Sequence, residues 1–140
     1  MRNGGVRISE DTPTLLSPDM IDEFVLPYDE KAFAEFGGGF VHFCGKCEYL
    51  LEKFAGMKGC RAVNLGQPEM YDFEWVMDTM HKNNCVYFGH WPKYEGEDTK
   101  AYISRMKKAS AGGTRNLLLH FNENLFPEMC ESEIYDIWNR

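Results

Sequence analysis

The feature that most constrains this chain is a repeated alternation between short, β-rich apolar runs and longer stretches with helical periodicity. The runs are Val6–Ser9, Phe40–Cys44, Arg61–Leu65, Cys85–Gly89 and Asn116–His120. Between the first two, Ser17-Pro18 reads as an N-cap followed by proline at the first helical position. Met20, Ile21, Phe24 and Val25 then follow helical spacing, Pro27 interrupts it, and the pattern resumes through Ala32, Phe33 and Phe36. Gly37-Gly38-Gly39 ends that helix. Later helices are expected around Tyr49 to Ala55, from about Glu69 to Lys82 with Met70, Phe73, Val76, Met77 and Met80 buried, from Thr99 to Ala109, and from about Glu131 onward. Such strict β-α alternation implies right-handed crossovers and a parallel sheet, an α/β fold. Folds of this kind carry their chemistry at the carboxyl ends of the strands. The polar residues expected there are Glu10, Asp11, His42, Cys44, Asn64, His90, His120, Asn122 and Glu123.

Composition narrows the function classes. The 140 residues include 15 Lys and Arg against 22 Asp and Glu, a net charge of −7 with a pI near 5.1. That balance argues against nucleic acid or an anionic membrane surface as the main partner. Apolar residues at 44% and aromatics at 14% are enough for a packed core. The opening Met1-Arg2-Asn3-Gly4-Gly5 lacks the apolar stretch of a signal peptide, and no apolar run reaches the length of a membrane span. The 5 cysteines are an odd number with no secretory signal, so reduced thiols and a cytoplasmic location are expected.

The densest chemistry lies in His42-Phe43-Cys44-Gly45-Lys46-Cys47. Side chains alternate along a strand, so His42 and Cys44 project to the same side. An imidazole and a thiolate at one strand end are two of the three protein ligands of a catalytic zinc. The third would come from another strand end, with His120, Glu123 and Cys130 available. The plainer reading makes His42 a hydrogen-bonded histidine and Cys44 a buried thiol. Cys44-x-x-Cys47 between a strand and a helix also has the layout of a thioredoxin-like redox site, because a helix N-terminus favours the thiolate. Asp11 and Asn64, at two further strand ends, are expected to bind substrate, although Glu10-Asp11 suits a capping role equally well. Lys46 and His90 read as surface residues, and His81 as a complement to a helix C-terminus.

With these residues placed, the chain resembles the C-terminal part of the uroporphyrinogen decarboxylase superfamily, whose members are (β/α)8 barrels and include corrinoid-dependent methyltransferases. The resemblance is carried by Leu15-Leu16-Ser17-Pro18, Phe24-Val25-Leu26-Pro27-Tyr28, Gly38-Gly39-Phe40-Val41-His42-Phe43-Cys44-Gly45, Asn64-Leu65-Gly66-Gln67-Pro68-Glu69 and the closing stretch from Asn116 to Ile134. It implies that His42 and Cys44 bind Zn2+ and that the metal activates a thiol, which accepts a methyl group from a methylated corrinoid. The register from Pro127 puts the third ligand at Glu123, with His120 as its substitute. Other outcomes are a decarboxylase of porphyrin biosynthesis, a redox protein using Cys44 and Cys47, or an inactive fragment. The implied partners are a small-molecule substrate and a corrinoid protein, with either a homo-oligomer or a complementing chain. About five β/α units fit residues 1–140, against eight in a closed barrel. One domain is therefore expected, forming the C-terminal portion of a TIM barrel that lacks its N-terminal units.

Overall fold

The apolar runs become five strands hydrogen-bonded in chain order and all parallel. The computed structural model describes residues 5–111, 116–120 and 131–139. The strands are β1 (Val6–Ser9), β2 (Gly39–Phe43), β3 (Cys60–Leu65), β4 (Val86–Gly89) and β5 (Leu117–Leu119). The helices are α1 (Pro18–Phe24), α2 (Leu26–Phe36), α3 (Glu48–Gly56), α4 (Phe73–Asn83), α5 (Thr99–Ala109) and α6 (Glu131–Asn139). The α/β class and the parallel alternation read from the sequence are therefore observed. Among the described residues, no helix is long and apolar enough to cross a membrane.

Local chemistry explains most of the boundaries. Ser17 caps α1 by accepting from the Met20 amide, with Pro18 in the first turn. α1 and α2 are separate helices divided at Val25, because Pro27 has no amide to continue the ladder. Gly37 closes α2 in the left-handed region at φ 74°, a conformation that costs glycine least. The fourth helix starts later than the pattern suggested. Pro68–Met70 form a separate 3-10 turn, and Asp72 is extended so that its side chain can cap the Trp75 amide at 2.8 Å. Met70 consequently lies outside α4 and is 48% exposed, whereas Phe73, Val76, Met77 and Met80 are buried as expected. His81 and Lys82 sit in the last turn of α4, where cations complement the helix dipole.

Burial alternates along the strands. Val41 and Phe43 of β2, Val63 and Leu65 of β3, and Tyr87 of β4 are fully or almost fully buried. They pack with Leu50, Leu51 and Phe54 of α3, Val76 and Met80 of α4, and Ile103 and Met106 of α5. Each such side chain contributes about 1.5–3 kcal/mol of hydrophobic stabilisation. The opposite face carries Arg7, Ser9, Phe40, His42, Ala62, Asn64, Val86, Phe88 and Leu118, none of them fully buried. This asymmetry follows from the topology. Sequential parallel strands joined by crossovers of one hand place the connecting helices on the same side of the sheet. On the other side, the Phe40 and Phe88 rings meet edge to face with centroids 5.5 Å apart.

One polar pair lies within the helix-packed side. Asp29 of α2 is buried and shares a hydrogen bond with Glu10 at the end of β1, while its Oδ2 has no donor among the described residues. Burial first, and then the neighbouring Glu10 charge, push the Asp29 carboxyl from 3.8 up to about 7. Glu10 is raised too, chiefly by burial. In the window from about pH 4 to 7, folded Asp29 holds a proton that the unfolded chain has released. Stability attributable to this group therefore falls as pH rises through that window and is level above it. Asp29→Asn should flatten the fall and raise the melting temperature at about pH 8 by a few degrees, measured by thermal denaturation across pH.

Candidate metal centre

Strand register brings the site residues together. Ser9 pairs with His42, and His42 with Asn64, so β1, β2 and β3 end level with one another. Continuing the register one step past His42 brings Glu10, Phe43 and Leu65 alongside. The next step aligns Asp11, Cys44 and Gly66. The pleat sends Asp11, His42 and Cys44 to the open face, while Glu10 turns toward α2. The acidic pair read from the sequence is thus divided between two environments.

Asp11, His42 and Cys44 offer ligand atoms that all lie within 4.8 Å of one another, a group that could hold a metal ion. Cys44 Sγ is 3.6 Å from His42 Nε2, and Asp11 Oδ1 is 3.9 Å from the same nitrogen. The His42 side chain is 17% exposed and that of Asp11 is 56% exposed, so the group is reachable from solvent. The Cys44 backbone amide donates to Asp11 Oδ1 at 2.8 Å, tying the carboxylate to the start of the cysteine loop. Thr14 Oγ1 in turn donates to the Asp11 carbonyl at 2.8 Å. Burial and the adjacent Asp11 carboxylate push the Cys44 thiol up, against a smaller lowering by Gln67. Without a cation the thiol is therefore protonated at neutral pH.

The loop after β2 is held from both sides. Gly45 donates its amide to Gln67 Oε1 at 2.6 Å. The Tyr71 hydroxyl donates to the Gly45 carbonyl at 2.9 Å and accepts from the Cys47 amide at 2.8 Å. Tyr71 is itself buried and stacks on Trp75 with centroids 6.4 Å apart. Gly66 lies against Cys44 so closely that a Cβ there would stand 2.5 Å from the thiol sulfur. Sequence reading gave no role to Gln67 or Tyr71. Their only signal was their place in and just beyond the stretch from Asn64 to Glu69.

The other expected residues fall as follows. Asn64 has both ends of its amide engaged by protein, with Oδ1 2.6 Å from His42 Nδ1 and Nδ2 donating to the Phe88 carbonyl at 2.6 Å. His120 is exposed at the end of β5, and its side chain does not join the group. Glu123, Asn122 and Cys130 lie outside the described residues. Cys47 is a free thiol that caps α3 through its backbone, apart from the ligand group. Lys46 pairs with Glu48 at 3.6 Å on the surface, and His90 is exposed. No family model, curated protein or solved structure matches the chain.

Two substitutions test this arrangement. Gly66→Ala should displace the Cys44 thiol and weaken metal binding by at least about tenfold while the far-ultraviolet circular dichroism stays unchanged. Tyr71→Phe removes both loop hydrogen bonds and should cost about 1–3 kcal/mol in chemical denaturation.

Proposed function

We propose that this chain is a zinc-binding, uroporphyrinogen decarboxylase-like barrel segment in which Asp11, His42 and Cys44 hold the metal for methyl transfer to a thiol. The observation that carries the proposal is the convergence of a carboxylate oxygen, an imidazole nitrogen and a thiol sulfur from two adjacent strand ends within 4.8 Å. The spacings fit the donors. Ligand distances of about 2.0–2.3 Å at tetrahedral angles require neighbouring N and S atoms about 3.6 Å apart. The observed Cys44–His42 separation is 3.6 Å. The Asp11–His42 separation of 3.9 Å exceeds the roughly 3.3 Å needed, and a small rotation of the exposed Asp11 side chain would close it.

Zinc at this position would supply Lewis acidity, holding an incoming thiol as its thiolate near neutral pH. The protein's part is to hold that position and keep one side free. Gln67 and Tyr71 fix the backbone that carries Cys44, and Gly66 leaves room for its sulfur. Asp11 replaces Glu123 as the third ligand in this proposal. A methylated corrinoid presented by a partner protein is the proposed methyl donor. The chain-ordered parallel sheet, with its helices on one face, supports the barrel reading as an arc of five units.

Metal analysis of purified protein tests the proposal. About one zinc per chain is expected, removable by chelator and restored by titration. Asp11→Ala, His42→Ala and Cys44→Ala should each lose it, while Cys47→Ser and Glu123→Gln should retain it. A zinc-free protein with a reversible Cys44–Cys47 disulfide would instead establish the redox reading.

A further inference from the structure

The Asn64 side chain makes two short polar contacts, and together they determine more than its own orientation. The Phe88 carbonyl can only accept, so its 2.6 Å contact must be a donation from Asn64 Nδ2. That fixes which end of the amide faces β4 and leaves Oδ1 facing β2, 2.6 Å from Nδ1 of His42. A carbonyl oxygen has no hydrogen to give, so this second contact is a hydrogen bond only when Nδ1 carries the proton. A neutral imidazole has a single N–H. With it on Nδ1, the lone pair lies on Nε2, the atom directed at Cys44 Sγ and Asp11 Oδ1.

We propose that Asn64 is a positioning residue that locks His42 in the Nδ1–H tautomer, presenting Nε2 as the ligand atom before any metal binds. The purpose of the lock rests on the metal reading, but the lock itself is a property of the metal-free protein. His42 and Asn64 are register partners in adjacent parallel strands, so their side chains leave the sheet side by side. Gly89 completes the arrangement from β4, since a Cβ at that position would stand 2.7 Å from Asn64 Nδ2. Backbone, amide and imidazole thus form one lateral chain across three strands. Asn64 therefore acts on His42.

The tautomer is directly measurable in metal-free protein carrying 15N-labelled histidine. Long-range 1H–15N correlation spectra show which ring nitrogen carries the proton. The His42 signals are assigned by their loss in His42→Gln. The expected result is a protonated Nδ1 and an unprotonated Nε2. Asn64→Leu should abolish that preference. Gly89→Ala displaces the amide from the other side and should mimic Asn64→Leu, giving an independent readout if Asn64→Leu fails to fold. A wild-type His42 with its proton on Nε2 overturns the proposal, as does an unchanged tautomer in a folded Asn64→Leu or Gly89→Ala variant. Zinc titration of the same samples should show affinity about 10- to 100-fold lower in Asn64→Leu than in wild-type protein. Failure of wild-type protein to bind zinc would overturn the metal reading alone, because the tautomer is read without metal.

Discussion

The arrangement depends on one constraint, the in-register parallel pairing of β1, β2 and β3. Parallel neighbours run in the same direction, so their carboxyl ends finish on one edge of the sheet, and the pleat decides which side chains share a face there. Ser9, His42 and Asn64 stand in one row across that edge. From this row, two residues further along β1 and β2 bring Asp11 and Cys44 to the same corner. The hydrophobic contacts on the other face, from Val41 and Phe43 through Leu65 to α3, hold the row in place. A slip of one residue between β1 and β2 would turn Asp11 away from His42.

Much of the fold was legible because local signals agreed with one another. Ser17-Pro18 began a helix, Pro27 divided it, Gly37 ended it, and the alternating apolar runs became strands. The start of α4 was missed because periodicity at Met70 outweighed a quieter signal. Asp72 prefers to cap a helix rather than sit inside one, and the extended backbone it needs separates Met70 from α4. His42 and Cys44 were legible as partners because two residues apart on a strand means the same face. Asp11 was noticed, but as a residue for substrate and not as a neighbour of the thiol.

The reason lies in lateral distance, which spacing along a chain does not encode. A histidine at the end of β5 and an aspartate at the end of β1 look equally eligible to join His42. In the sheet, β1 is the immediate neighbour of β2, whereas β5 is three strands away, about 14 Å at the usual strand spacing. Strand order therefore separates His120 from the group and admits Asp11. The same holds for Asn64, whose two amide contacts depend on β3 lying between β2 and β4. Its chemistry could be named from the sequence, but its partners could not.

The pleat that divides Glu10 from Asp11 also bears on how this stretch tolerates change in length. One carboxylate faces a buried acid on α2 and the other faces an imidazole and a thiol. Deleting a single residue within β1 would bring Asp11 toward Asp29 and put Thr12 beside His42 and Cys44, whereas inserting one would bring Glu10 to the open face and put Ser9 toward Asp29. Either change would leave only one of the two positions with a carboxylate, and that one with a side chain a methylene too short or too long for its neighbours. The 3-10 turn that follows ends on Leu15, which is 85% exposed and carries no such restriction. Insertions and deletions in related sequences should therefore collect after Asp11 and be rare before it.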